Sequence, residues 1–297
     1  NTPTCFCIGD YNMAGPIGSS QYMYSSGGGD FYDYQIEQSC RFDSGGGGTN
    51  TSTRLYRTFG TVSDQTKFTF SVWVKRATTY KFGTNTTWQQ IIATGNGVSG
   101  GGASFGFESG GGTSGGLDNR DRISWYGHSG STGGTATADD RIAGYYRDTT
   151  AWLHIVMRCD TSQSSGDRIR YYVNGDGPKE RTTENNPAGN FNNFHVATEV
   201  HNIGCGSNTY YGFDGYMAEF IYADGQSYAP TQFGESKNGV WKPIDPSGTT
   251  FGNEGFHLKF QDASDLGNDS SGNNNDFTSA NFGTDHQVLD SPTIGTG

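Results

Sequence analysis

A chain of 297 residues with 47 glycines, 14% aromatic and only 32% hydrophobic residues suits one large domain whose core is built from rings, because each aromatic side chain buries a large area. The glycines follow no three-residue period, which excludes collagen, and no apolar run nears the roughly 18 residues of a membrane span. A net charge of −11 with no Lys/Arg footprint excludes a nucleic-acid partner and suits cations, neutral ligands such as sugars, or simple solubility.

In chain order, residues 1–35 lack periodicity and read as an N-terminal arm. Alternation of apolar and polar residues then marks strands. In "KFTFSVWVKR" (67–76), Phe68, Phe70, Val72 and Val74 share one face, and Thr69, Ser71, Trp73 and Lys75 share the other. Further strands are predicted at 89–95, 103–109, 121–127 and 151–160. "DRIRYYVNGDG" (167–177) ends in Asn-Gly, the strongest short hairpin signature. Strands at 213–226 and 255–262 complete the series, and "APTQFGES" (229–236) suits one short turn with Pro230 first. No segment of ten residues carries a helical period. Glycine tracts such as "DSGGGGTN" and "SGGGTSGG" read as surface loops. These features predict an all-β fold, a two-layer antiparallel β-sandwich or jelly roll. Residues 36–262 form the sandwich, and residues 263–297 an Asp/Asn-rich loop and C-terminal tail.

Several segments in this order resemble one family. They are "YQIEQSCRFD" (34–43), "LYRTFG" (55–60), "FTFSVWVKR" (68–76), "AWLHIVMRCDTSQSSGDRIRYYVNG" (151–175), "FDGYMAEFIYADGQSYAPTQFGE" (213–235), "GVWKPID" (239–245), "GFHLKFQDASDLGNDSSGNNNDFT" (255–278) and "DSPT" (290–293). The chain resembles the laminin-G-like (concanavalin A-like) jelly-roll domains of virion structural and tail-fibre proteins of marine bacteriophages. The resemblance implies a virion-surface, extracellular setting, with other virion proteins, copies of the chain and host-surface glycans as partners. Family chains usually continue past "DSPT", whereas this one stops at Gly297; that departure implies processing or a self-contained surface protein.

Candidate sites follow from residue chemistry. Asp265, Asn268, Asp269, Asn274 and Asp276 offer oxygen ligands of the kind Ca²⁺ takes, and laminin-G-like domains often hold Ca²⁺ at a rim. The same residues also make turns without any metal. Trp125, Tyr126, Tyr145, Tyr146, Tyr210 and Tyr211 are candidates for stacking on glycans, against a reading in which they fill the core. Retaining glycoside hydrolysis needs two carboxyls about 5–5.5 Å apart, and no Glu here is followed by Asp two residues on. Glu219 reads as an outward-facing strand residue, and His154 and His257 as packed or solvated. Cys5 and Cys7 have no counterpart in the family and are candidates for subunit contact or a disulfide. Cys159 and Cys205 read as buried thiols. Asn50, Asn85 and Asn268 sit in glycosylation sequons. The expected function is a non-enzymatic virion surface component that binds glycans. The alternatives are a secreted calcium-dependent lectin and a glycoside hydrolase.

Overall fold

The computed structural model describes residues 31–45, 51–79, 88–94, 102–108, 121–128, 136–183, 199–206 and 211–293. Their strands form two large antiparallel sheets packed face to face. Sheet A runs in the order Gln287–Val288 (β17), Ser39–Phe42 (β1), Gly215–Asp224 (β12), Lys67–Arg76 (β3), Leu153–Asp160 (β8) and Ile169–Val173 (β9), with Phe256–Leu258 (β15) paired to the far half of β12. Sheet B runs Arg181–Thr183 (β10), Ala136–Ile142 (β7), Arg122–His128 (β6), Gly102–Glu108 (β5), Trp88–Thr94 (β4), Val200–Ile203 (β11), Arg54–Thr58 (β2) and Thr278–Ala280 (β16). A separate hairpin pairs Gly234–Lys237 (β13) with Val240–Pro243 (β14).

The core is aromatic, as the composition requires. In β3 the alternation sends Phe68, Phe70, Val72 and Val74 inward. Phe70 sits at the hub: its ring lies 5.0 Å from Tyr222 and 6.2 Å from Phe220 in its own sheet, and 6.0 Å from Phe105 and 6.2 Å from Trp125 in the opposing one. Offset and edge-on pairs of this kind add about 0.5–1.5 kcal/mol each beyond the area they bury. Arg76, at the end of β3, ties the sheets together at one rim. It is 1% exposed, bonds Asp121 of the β6 approach at 2.9 Å, and lies 4.5 Å from the Phe107 ring.

The outer face of sheet A is covered by the chain itself. Trp73, expected on the face opposite Phe70, is there and buried against Ile36, Ala218, Tyr34, Trp152 and Trp241. Trp241 comes from the β13–β14 hairpin, and its ring lies so close to Gly175 and Gly234 that a Cβ on either would meet it at 2.2–2.5 Å. Asn174 and Gly175, at φ 50° and 74°, form the predicted Asn-Gly turn beside it. Pro230 opens a single 3-10 turn, also as predicted. Glu219 is not an outward-facing strand residue. It occupies a bulge between Ala218 and Ile221, has φ 47°, and is buried. The bulge turns its carboxylate onto the Tyr34 hydroxyl at 3.1 Å and onto His257 Nε2.

Residues 263–293, read as a loop and tail, supply one strand to each sheet: β16 pairs with β2 and β17 with β1. The "DSPT" stretch then works as a clasp. Asp290 accepts from Lys75 Nζ at 2.8 Å and Trp152 Nε1 at 3.1 Å, while Thr293 Oγ1 accepts from the Ile36 N–H at 2.8 Å and Ser291 donates to the Ile36 carbonyl. Cys40, Cys159 and Cys205 are free, buried thiols; burial pushes the Cys205 pKa up to about 12 and raises those of the other two as well. Cys5 and Cys7 lie outside the described residues, as do the sequons at Asn50 and Asn85.

Candidate functional site

The alternation that fills the core also defines the opposite face of sheet B. Ala103, Phe105 and Phe107 of β5, and Ile123 and Trp125 of β6, point inward; their neighbours Ser104, Gly106, Glu108, Arg122, Ser124 and Tyr126 therefore share the outer face. Strand register then aligns three rows. Trp88 stands opposite Glu108, which stands opposite Arg122. Gln90 faces Gly106, then Ser124, then Arg141. Asn202 faces Ala93, then Ser104, Tyr126 and Asp139.

Gly106 leaves a gap in the middle row. Its own constraint is backbone crowding, since a Cβ would meet the Gln89 carbonyl at 2.2 Å where β4 bulges. Across that gap the Trp88 and Tyr126 rings meet with centroids 5.7 Å apart. Around them lies a set of buried polar atoms without hydrogen-bond partners: both amide atoms of Gln90, Ser104 Oγ, Ser124 Oγ and Asn202 Nδ2. These four residues are at most 1% exposed. A buried polar group left unpaired costs about 1–3 kcal/mol, so several on one face call for partners, which ordered water or a polar ligand supplies.

Charge on this face is unevenly placed. At the β7 side Arg141 Nε bonds Glu108 at 2.7 Å and its Nη1 bonds Asp139 at 3.0 Å. Burial raises the Glu108 carboxyl pKa, and Arg141 opposes that shift. At the β2 side Arg54 lies 4.8 Å over the Tyr56 ring and donates to Asn202 Oδ1 at 3.3 Å.

The aromatic candidates divide among three settings. Trp125 is fully buried in the core among Phe68, Phe70 and Phe105, so it offers no face to a sugar. Tyr126 lies on the outer face, and the Tyr211 carbonyl accepts the Gln90 N–H at 2.8 Å, so its backbone borders the same rows. Tyr145 and Tyr146 lie at the rim. The Tyr145 ring is engaged by the Arg122 and Arg147 guanidinium groups, each 4.5 Å from its centroid. Tyr146 packs on the core, and burial raises its pKa to about 12. Tyr210 lies outside the described residues. Reading by residue type passed over Trp88, Gln90, Ser104, Ser124 and Asn202; the alternation around Phe105, Phe107, Ile123 and Trp125 was the available pointer to two of them.

The oxygen-rich loop folds onto its own backbone. Asp265 accepts the Gly267 N–H at 3.2 Å and Asp276 the Asp269 N–H at 2.8 Å. Asp269 accepts from His257 N, Ser271 N, Ser271 Oγ and Asn275 N at 2.7–2.9 Å. Asn274 takes a left-handed turn position at φ 57°, and Asn268 is exposed. Among the described residues no three acidic, His or Cys side chains converge as a metal site.

Besides Glu219 with Tyr34 and His257, a second buried polar grouping lies on the outer face of sheet A. Trp241 Nε1 can only donate, so His154 Nδ1 accepts its proton at 2.9 Å, and the neutral ring donates from Nε2 to Ser71 Oγ at 2.8 Å. Burial lowers the His154 pKa to about 3. The proton on Nε2 faces the hydroxyl, which is the reverse of what a base activating that serine would need.

The sequence matches the laminin G model described as the concanavalin A-like lectin/glucanases superfamily over residues 22–225, more than half of the chain. The chain belongs to that superfamily. As in the sheets described above, the superfamily domain is all-β and two-layered. Here the same sandwich also takes in β15, β16 and β17 beyond the matched region. A comparison with curated proteins finds no match. Among solved structures, a Bacteroides ovatus protein described as carbohydrate binding is 13% identical, with a TM-score of 0.48 over 83% of this chain and 58% of that one. The chain therefore spans well under two thirds of that protein. Domain 4 of AbnA, an extracellular arabinanase of Geobacillus stearothermophilus solved with arabinotriose, is 13% identical, with a TM-score of 0.41 over 71% and 82% of the two chains. The enzymatically active domain of tailspike protein 2 from bacteriophage CBA120 is 12% identical, with a TM-score of 0.32 over 69% and 31%. Likenesses of this depth carry no argument about ligand. Among the described residues of this superfamily member, no helix is long and apolar enough to cross a membrane.

Proposed function

We propose that the chain is a non-enzymatic glycan-binding module, displayed outside the cell on a virion surface as a fibre, decoration or adhesion component. The observation that carries glycan binding is the buried polar set on the outer face of sheet B around the Trp88–Tyr126 ring pair. Sugars present hydroxyls that both donate and accept and C–H faces that stack on rings, so amide and hydroxyl groups beside aromatics suit them. The non-enzymatic reading is supported by Glu108 and Asp139, the carboxylates of that face, both being held by Arg141. A carboxylate engaged by a guanidinium has fewer oxygens free to meet a glycosidic bond. Display on a virion, with copies of the chain and other virion proteins as partners, rests on the ordered segments that resemble phage structural proteins.

The test is a glycan array followed by calorimetry on the best binder, with Trp88→Ala and Tyr126→Ala in parallel. Each substitution is expected to weaken binding at least tenfold without turnover of the sugar. Undiminished binding by both variants would move the site elsewhere. Cleavage of the glycan that is abolished in Glu108→Gln would replace the binding module with a hydrolase.

A further inference from the structure

We infer that the β2 end of this outer face is an anion subsite, so that the preferred glycan is acidic, carrying a carboxylate or sulfate. The inference rests on the glycan-binding reading of the face and adds the ligand's charge. Arg54 stacks over Tyr56 and gives one Nη1 proton to Asn202 Oδ1 at 3.3 Å. Its Nε is buried with no partner, and so is Asn202 Nδ2. Asn202 is 1% exposed. Two side chains that already touch therefore each hold back one buried donor, and no acceptor satisfies either. Arg54 also forms no ion pair with a described residue, unlike Arg141 across the face, whose charge is met by Glu108 and Asp139.

Donors without acceptors, on a cation with no counter-ion among the described residues, point to an anionic oxygen rather than a neutral hydroxyl. A guanidinium lying on an aromatic ring is also oriented in advance, so little is lost in ordering it on a carboxylate or sulfate. At the opposite end the Arg141 guanidinium is already met by Glu108 and Asp139, so it offers an anion no uncompensated cation. The face is thus polarised, and one acidic group of a sugar is directed to the Arg54 end.

The experiment compares four probes by calorimetry: a neutral oligosaccharide, an oligouronate, a sulfated oligosaccharide and inorganic sulfate. Each is tested against the full chain and against Arg54→Gln and Arg54→Lys, with thermal melting as a control for folding. The expected result is at least tenfold tighter binding of one acidic sugar over the neutral one. That preference falls to near unity in Arg54→Gln, is partly kept in Arg54→Lys, and weakens with added salt. Which acidic sugar wins separates carboxylate from sulfate. Equal binding of neutral and acidic sugars, unchanged in Arg54→Gln, would overturn the anion subsite and leave glycan binding standing. Sulfate binding that depends on Arg54, with no sugar of either class bound, would keep the anion subsite and overturn the glycan reading. No binding of any probe would overturn both.

Discussion

The outer faces of the two sheets are built from similar residues to opposite ends. On sheet A, Ser71 and His154 lie under Trp241, and each polar atom of that trio has a partner. Glu219, strained at φ 47° in its bulge, is likewise engaged by Tyr34 and His257. On sheet B, Gln90, Ser104, Ser124 and Asn202 are just as buried, and their side-chain polar atoms go unpaired apart from Asn202 Oδ1, which accepts from Arg54. Burial alone does not separate these two groups of residues; hydrogen bonding does. A face whose polar groups are matched by the chain's own hairpin is finished by folding. A face left with unmatched donors and acceptors retains capacity for something else.

The largest expected effect comes from uncovering sheet A. Trp241→Ala removes the ring wedged against Gly175 and Gly234 and strips the acceptor-side bond from His154. Truncating a large packed aromatic costs about 3–5 kcal/mol, with the lower end fitting a ring that is only partly buried. Urea denaturation with an unchanged m-value would measure it. A loss below about 1 kcal/mol would mean that the hairpin lies on the sheet without holding it.

Part of this contrast was legible in the sequence. Phe68 to Val74 announced both their strand and its inward face, and Asn174–Gly175 announced their turn, because those patterns are local. β7 was hidden because "ATADDRI" carries Asp139 outward and Asp140 inward, which breaks the apolar alternation. Glu219 resisted reading for a different reason. Its carboxylate is buried because residues 38 and 185 positions away in sequence meet it there, and no local pattern records that. The candidate site was half visible. Tyr126 could be picked by type, but Gln90, Asn202 and Arg54 become neighbours of one face only through the register of β4, β11 and β2. Trp125, picked beside Tyr126, belongs to the core because it shares a face with Ile123.

A smaller effect sharpens the same comparison through pH. His154 is held neutral in the folded chain, with a pKa near 3 against 6.5 for a free imidazole. The unfolded chain binds a proton below about pH 6.5 that the folded one refuses, so this residue's stabilisation is complete above that pH and lost as pH falls toward 3. His154→Gln, which cannot titrate, is expected to flatten the acid limb by up to about 1.4 kcal/mol per pH unit between those values. Parallel acid limbs for the two proteins would mean that His154 reaches water. Because desolvation causes the shift, Trp241→Ala is expected to relieve it in part.

The smallest effect is the most discriminating, because it differs in sign between the faces. Ser71→Ala deletes a satisfied hydroxyl and leaves His154 Nε2–H without an acceptor, which costs about 1–3 kcal/mol. Ser124→Ala deletes a hydroxyl that has no partner to lose. Removing an unsatisfied buried polar group is close to neutral or stabilising, within about 1 kcal/mol, so the melting temperature is expected to hold or rise. If the outer face of sheet B takes a glycan, the same variant binds it less tightly, and stability and affinity move in opposite directions. A fall in stability matching that of Ser71→Ala would mean that the Ser124 hydroxyl is engaged by water or by the chain, and the distinction between a finished and an unfinished face would fail at that position.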